Sequence, residues 1–165
     1  MTDLVLTPTG LRAGRVRLPC SIGRAGISTA KREGDGATPA GDHRIVGLFF
    51  RPDRIARARL PAWAEPIRLC DLWCDAPDHP DYNHLCRAPF TASAETLRRA
   101  DPIYDLILVT DWNWPVATPH GGSAIFIHQW RRPGYPTAGC IALARRDLFW
   151  LVQNVAPGTR LTIRP

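Results

Sequence analysis

The chain has 165 residues, among them 16 prolines and 13 glycines, a length that suits one domain, residues 1–165, with a core of its own. Its net charge of +6 comes from 21 basic residues, all but one of them arginine, which are scattered along the chain. Because no basic stripe alternates with aromatic residues, the charge argues against nucleic acid as a partner. The apolar runs are far shorter than the ~18 residues of a membrane span, which argues against a membrane partner.

The amino-terminal third is composed of short apolar runs and turns. Residues 4–7 and 11–18, separated by Pro-Thr-Gly, predict an opening hairpin. Residues 31–41 are rich in turn-forming residues and end in Thr-Pro-Ala-Gly, which taken alone indicates an ordinary polar connection. Residues 43–50 predict a strand.

The middle of the chain has poor periodicity. Six prolines between residues 51 and 89 exclude a long helix there, and residues 75–83 predict a long surface loop. Long ordered loops often carry function, so Tyr82 and Asn83 are candidate substrate contacts, with plain turn residues as the alternative. Ser93 predicts the cap of a short helical turn that reaches Arg99.

The last third contains the clearest elements. Residues 104–110 are nearly all apolar and predict a central strand, and residues 159–163 predict a closing strand. Apolar residues recur at helical spacing over 145–155, which predicts an amphipathic helix near the carboxyl end. His120 lies before Gly-Gly in a loop and is expected to be an exposed turn residue rather than a catalytic one. The pattern as a whole indicates a mostly antiparallel β sandwich or partly open barrel with one helix.

The stretch 123–143 carries the strongest sign of chemistry. It contains an apolar run ending in His128, a loop with proline and glycine, and then Thr137-Ala-Gly-Cys140 before a second apolar run. Two short strands joined by this loop would place the histidine and the cysteine together at one end of a sheet. A thiol attacks carbonyls as its thiolate, and a neighbouring imidazole can take the proton. Gly139 lets the backbone approach a substrate, so amides there could face an oxyanion. Either residue alone is more often an ordinary core residue.

These residues resemble the active-site signature of the L,D-transpeptidase catalytic domain, also called the YkuD domain. That signature has a histidine, a dozen or more residues, and then Ser/Thr-His-Gly-Cys followed by an aliphatic residue and usually Arg or Asn. The segment 31–41 is similar to the family's D-x-x-T-P-x-G turn, so the resemblance runs from about residue 29 to the end of the chain. This sequence has Ala138 in place of the family's second histidine and Ala142 in place of the Arg or Asn. These changes, and a short loop before Cys140, indicate a divergent branch.

The resemblance implies a cysteine acyl-transfer enzyme acting on peptidoglycan stem peptides or muropeptides. Cys140 would form the thioester, His128 would act as base, and backbone amides around Gly139 and Cys140 would hold the oxyanion. No metal or cofactor is expected. Arginines bind carboxylates with a planar fork, so Arg131, Arg132 or Arg145 could replace the missing arginine. The predicted substrate contacts are Tyr82, Asn83, Arg131, Thr137 and Arg145.

The acyl acceptor and the compartment are open at this stage. Without a leader in the sequence, a cytoplasmic L,D-carboxypeptidase that trims recycled tetrapeptides is favoured over a periplasmic transpeptidase that forms cross-links. An inactive binding module for stem peptides or a protein is the other alternative. The sequence leaves the oligomeric state undetermined. The odd number of cysteines, five, favours reduced thiols; a zinc site built from Cys70, Cys74 and the nearby His and Cys residues lacks a matching second pair.

Overall fold

The computed structural model describes residues 3–165, which form fifteen strands, one α-helix and one short 3₁₀ turn. The strands are β1 (Leu4–Thr7), β2 (Gly10–Ala13), β3 (Val16–Leu18), β4 (Cys20–Ser21), β5 (Ile27–Ser28), β6 (Thr38–Pro39), β7 (Gly41–Phe50), β8 (Glu65–Pro66), β9 (Asp71–Cys74), β10 (Leu85–Arg87), β11 (Ala94–Thr96), β12 (Leu106–Thr110), β13 (Phe126–Gln129), β14 (Ile141–Leu143) and β15 (Arg160–Ile163). The helix α1 spans Arg145–Asn154 and the 3₁₀ turn spans Arg57–Arg59.

Most strands belong to one curled sheet in the order β3-β2-β1-β15-β7-β12-β13-β14-β4, with β8 paired to β7. Its two ends approach each other where β2 comes near β4, so the sheet almost closes into a barrel. A separate three-stranded sheet has the order β10-β9-β11, and β5 pairs with β6. The prediction of a mostly β fold with one amphipathic helix is confirmed.

Side chains along the central strands alternate between the two faces of the sheet, and each face packs into its own part of the core. In β12, Leu106 and Leu108 pack into the larger cluster beneath α1, whereas Ile107 and Val109 pack into a smaller cluster around Phe126. This follows from the two-residue repeat of a strand with both faces covered. The helix buries Leu148, Leu151 and Val152, which lie on one face because of their spacing. Cys140 packs against the Phe126 cluster, so this candidate residue lies on that face of the sheet.

Two predictions of local structure, for residues 11–18 and 93–99, are wrong. Residues 11–18 do not form one strand, because Gly14 takes a positive φ of 57° and turns the chain between β2 and β3. Residues 93–99 are not helical and Ser93 is not a cap. Instead β11 pairs antiparallel with β9, so tertiary pairing overrides the local capping signal. The predicted loop, residues 75–83, is the connection of a hairpin, because β9 before it and β10 after it pair antiparallel.

No helix among residues 3–165 combines the length and the apolar character needed to cross a bilayer.

Candidate active site

His128 and Cys140 lie on neighbouring parallel strands. Within β13, His128 is in register with Ala142 of β14, and Cys140 immediately precedes β14. Both side chains line one cleft of about 220 Å³. The lining comes from three parts of the chain, within 95–104, 128–131 and 135–142. The expectation that the strand–loop–strand unit brings the histidine and the cysteine together matches this geometry.

The segment 31–41, here called the Thr-Pro turn after Thr38 and Pro39, holds the loop that carries Cys140 in place. The Thr38 hydroxyl donates to the Gly139 carbonyl at 2.8 Å, across 101 residues of sequence, and accepts from the Gly23 amide at 2.9 Å. Gly139 has a φ of +146°, and a Cβ there would come within 2.8 Å of the Ala37 carbonyl oxygen. Glycine is therefore required at position 139 because the backbone there lies directly against the Thr-Pro turn.

Thr137 and Gly139 use their polar groups within the loop itself. The Thr137 hydroxyl donates to the Cys140 carbonyl at 2.6 Å and accepts from the Gly139 amide at 3.1 Å. The Gly139 amide is thus already occupied, which differs from the expectation that it faces an oxyanion. Thr137 does line the cleft, as predicted for a substrate contact, but its hydroxyl is bound internally.

His128 is held as a neutral imidazole. Its ring is 7% exposed, and Nδ1 lies 2.8 Å from the Gln129 carbonyl oxygen. Because a carbonyl can only accept, Nδ1 carries the proton and Nε2 keeps its lone pair. Burial lowers the pKa of His128 to about 4, and the bond to Gln129 only partly offsets this. The Gln129 carbonyl therefore orients the ring of His128 through Nδ1.

The Cys140 side chain is a protonated thiol in the resting site. Its sulfur donates to the Ala124 carbonyl at 3.0 Å. Burial raises the pKa of Cys140 to about 12, and the nearby Glu95 carboxylate adds to the rise. With His128 neutral as well, the resting pair consists of a thiol and an imidazole.

The low pKa of His128 makes a prediction about pH. With His128 as the general base, the hypothesis from the sequence, kcat/KM should persist to about pH 5 and fall as the pH drops through about 4, because protonation removes the Nε2 lone pair. Rates measured across this range should place the acid limb near 4; a limb near the ordinary value of 6.5 would contradict this environment for His128. Between 6.5 and 4 the unfolded chain binds this proton and the folded one does not, so stability falls as the pH falls. Circular dichroism at each pH is the control.

The cleft residues that sequence reasoning missed include Tyr104 and Glu95. Tyr104 packs edge-on to the His128 ring, with 5.3 Å between ring centroids, and donates to Glu95 Oε2 at 2.7 Å. The position of Tyr104 at the start of an apolar strand was visible in the sequence, but its contact with His128 was not. Glu95 lies in β11, where the sequence pattern indicated a helical turn.

Tyr82 and Asn83, predicted as substrate contacts, are buried away from the cleft lining. Asn83 Oδ1 accepts from the Trp73 indole at 3.0 Å and from the Ala124 amide at 2.9 Å. The Tyr82 hydroxyl donates to Glu33 and accepts from the Gly122 amide at 3.0 Å. Their hydrogen bonds hold the segment that leads into β13. These structural bonds account for polar residues at positions 82 and 83, and no substrate contact is needed to explain them.

The three candidate arginines have different surroundings. Arg131 lines the cleft. The Arg132 guanidinium stacks on the Tyr135 ring, 4.8 Å from the ring centroid. Arg145 instead bonds to Asp105 at 3.0 Å and to Gln129 at 3.1 Å, outside the cleft lining, so its predicted substrate contact is corrected to a structural one.

The remaining histidines and cysteines lie outside the cleft. His120 is exposed, 3.3 Å from Asp78. Both ring nitrogens of His84 are bonded to backbone carbonyls, at 2.8 and 2.9 Å. Across residues 3–165, no group of three or more His, Cys, Asp or Glu side chains is arranged to hold a metal ion.

Comparison with known proteins gives a family and a fold. The family model described as the L,D-transpeptidase catalytic domain (YkuD) matches residues 8–163. An L,D-transpeptidase from Mycobacterium smegmatis is similar in fold, with a TM-score of 0.51 and 13% identity over 99% of this chain and 58% of that one. L,D-transpeptidase 3 from Mycobacterium tuberculosis, solved with a faropenem-derived adduct, has a TM-score of 0.48 and 15% identity over 99% of this chain and 60% of that one. This chain thus spans about three fifths of each. No curated protein sequence matches it.

Proposed function

Since the chain belongs to the YkuD family of L,D-transpeptidase catalytic domains, we propose that it is a cysteine acyl-transfer enzyme acting on peptidoglycan stem peptides. The observation that carries the proposal is the shared cleft of Cys140 and His128, in which His128 presents an unprotonated Nε2. The susceptible bond in this proposal joins the L-centre of diaminopimelate to a terminal D-alanine.

The proposed reaction has two steps. The Cys140 thiol transfers its proton to His128 Nε2 while the sulfur attacks the peptide carbonyl carbon. The tetrahedral intermediate collapses, the carbon–nitrogen bond breaks, and His128 returns the proton to the leaving amine of D-alanine. A thioester on Cys140 remains. A second nucleophile then gives its proton to His128 and attacks the thioester carbon. The carbon–sulfur bond breaks, and His128 returns the proton to the departing Cys140 sulfur.

The oxyanion needs a donor other than the Gly139 amide, which already donates to Thr137 Oγ1. We assign this role to the Cys140 amide, because a backbone donor at the nucleophile itself lies closest to the carbonyl under attack. Losing one such donor costs roughly 3 kcal/mol of transition-state stabilisation in well-studied enzymes.

Water is the acceptor that we favour, which makes the protein an L,D-carboxypeptidase. A transpeptidase must seat an acceptor amine beside the thioester and compete with water at ~55 M. The cleft of about 220 Å³ must already hold the donor, and the short loop 130–140 adds little wall for a second stem. Five free cysteines are typical of reducing compartments, which supports a cytoplasmic site of action on recycled fragments.

One incubation tests both the reaction and the acceptor. Purified protein is given a disaccharide-tetrapeptide donor with excess acceptor stem, and products are counted by mass spectrometry. We expect loss of D-alanine to give tripeptide monomer as the main product. Mainly cross-linked dimer would identify a transpeptidase. An unchanged donor would contradict the proposed function, and recovery of the native protein from the periplasm would contradict its location.

A further inference from the structure

The cleft beside Cys140 contains a carboxylate that the reaction does not use. Glu95 projects from β11 into the lining shared with His128 and Cys140. Its Oε2 atom accepts from the Tyr104 hydroxyl at 2.7 Å. Its Oε1 atom has no hydrogen-bond partner among residues 3–165, and it is not sealed from solvent. Tyr104 therefore fixes one oxygen of the carboxylate and leaves the other without a hydrogen-bond partner in the described residues.

Glu95 makes no salt bridge within residues 3–165, although the charge of Arg99 acts on it and partly offsets the rise in its pKa. Arg99 lies in the same lining, but both prongs of its guanidinium bind Asp101, at 2.9 and 2.7 Å. Lys31, the one lysine of the chain, is paired with Asp35 at 2.5 Å. Burial raises the pKa of Glu95 above its ordinary value, because the half-buried charge has lost part of its hydration. An unpaired carboxylate held at this cost in a cleft is typical of a binding site.

Arg131 provides the opposite charge in the same cleft. Its guanidinium stacks 5.8 Å from the Tyr135 ring centroid, and its charge acts on Asp101, with which it makes no salt bridge within residues 3–165. A free carboxylate and a free guanidinium in one cleft match a ligand that carries an ammonium and a carboxylate together.

We propose that Glu95 binds the ammonium group of the donor peptide and that Arg131 binds its carboxylate, so that the cleft selects a zwitterionic amino-acid head group. The inference rests on the proposed function for the identity of the donor, in which the side-chain end of diaminopimelate is such a head group. Glu95 is then a specificity residue, distinct from the Cys140–His128 pair that performs the reaction.

The same contact would couple binding to activation of the thiol. The Glu95 charge raises the pKa of Cys140, after the larger effect of burial. A bound ammonium neutralises that charge and makes the thiolate easier to form, so a correct donor would activate its own nucleophile. The empty cleft would keep the thiol unreactive.

Binding to Cys140→Ala protein tests the proposal without turnover. The probes are the tetrapeptide L-Ala-γ-D-Glu-meso-diaminopimelyl-D-Ala and the same peptide acetylated on its side-chain amine, measured by calorimetry. We expect the free amine to bind at least about tenfold tighter, as for other charged hydrogen bonds, and a second change, Glu95→Gln, to remove that preference. The glutamine keeps an acceptor for Tyr104, and the matched control is Glu65→Gln in β8, outside this cleft.

Equal binding of the two peptides, a preference that survives Glu95→Gln, or no binding of either would overturn the inference. The proposed function fails separately: wild-type protein that releases D-alanine while showing no amine preference would leave the reaction in place and remove only the role of Glu95. No turnover together with no binding would remove both.

A second readout detects the charge effect, which a merely structural role for Glu95 would not produce. Alkylation of Cys140 by iodoacetamide, followed on its own peptide by mass spectrometry, should be several-fold faster in Glu95→Gln than in wild-type or Glu65→Gln protein. An unchanged rate at equal thermal stability would contradict the coupling.

Discussion

Replacing Cys140 with alanine should abolish turnover, to below about one part in a thousand of the wild-type kcat, while the protein stays folded. The reason is chemical, since no other thiol lines the cleft in which His128 presents Nε2. The structural loss is small, because the side chain contributes one sulfur-to-carbonyl bond, to Ala124, worth about 1 kcal/mol or less. The measurements are D-alanine release, covalent labelling by a carbapenem, and the melting temperature.

Cys20→Ala is the matched control for that experiment. Cys20 is also half-buried, and in β4 it pairs with Leu143 of β14. Burial raises its pKa to about 11, so its thiol, like that of Cys140, is protonated near neutral pH. It lies outside the cleft lining, and its removal should leave turnover and labelling in place. If Cys140→Ala kept its activity, or if Cys20→Ala lost it with an unchanged melting temperature, the assignment of the nucleophile would fail.

Gly139→Ala should lower both activity and stability. An alanine cannot relax into a φ of +146°, and its Cβ would press on the Ala37 carbonyl oxygen at 2.8 Å, so the Thr-Pro turn and the Cys140 loop must move apart. The backbone strain alone costs about 1–3 kcal/mol. A displacement of about 1 Å at the nucleophile costs about a hundredfold in rate. Thermal melting and kcat/KM on the tetrapeptide measure the two effects.

Gly134→Ala separates general loop strain from this specific contact. Gly134 belongs to the same loop and has a φ of +73°, but a Cβ there meets no atom within 4 Å. We expect it to lose about 1–2 kcal/mol from the left-handed backbone alone and to retain most of its activity. Equal losses of activity in the two variants would show that the contact with Ala37 is not what positions Cys140.

The local elements of the fold were determined by the sequence itself. The apolar run near residue 106, the helical spacing after residue 145 and the strand ending at Phe50 are each set by short-range periodicity, and the structure has an element at each. His128 and Cys140 could be related from sequence because their loop is short and their strands pair directly. The resemblance to the L,D-transpeptidase catalytic domain, carried by those residues and the Thr-Pro turn, is confirmed.

Only the tertiary structure decided the rest of the cleft. Thr38 holds Gly139 from 101 residues away, and Glu95 arrives on a strand whose sequence favoured a helical turn. Tyr82 and Asn83 looked like substrate contacts, but their polar groups satisfy buried backbone and side-chain partners. Periodicity reports which face of an element is buried and not which distant element covers it. The partners of a buried polar group are fixed by long-range pairing, so a sequence read locally cannot distinguish a residue that holds a loop from one that holds a substrate.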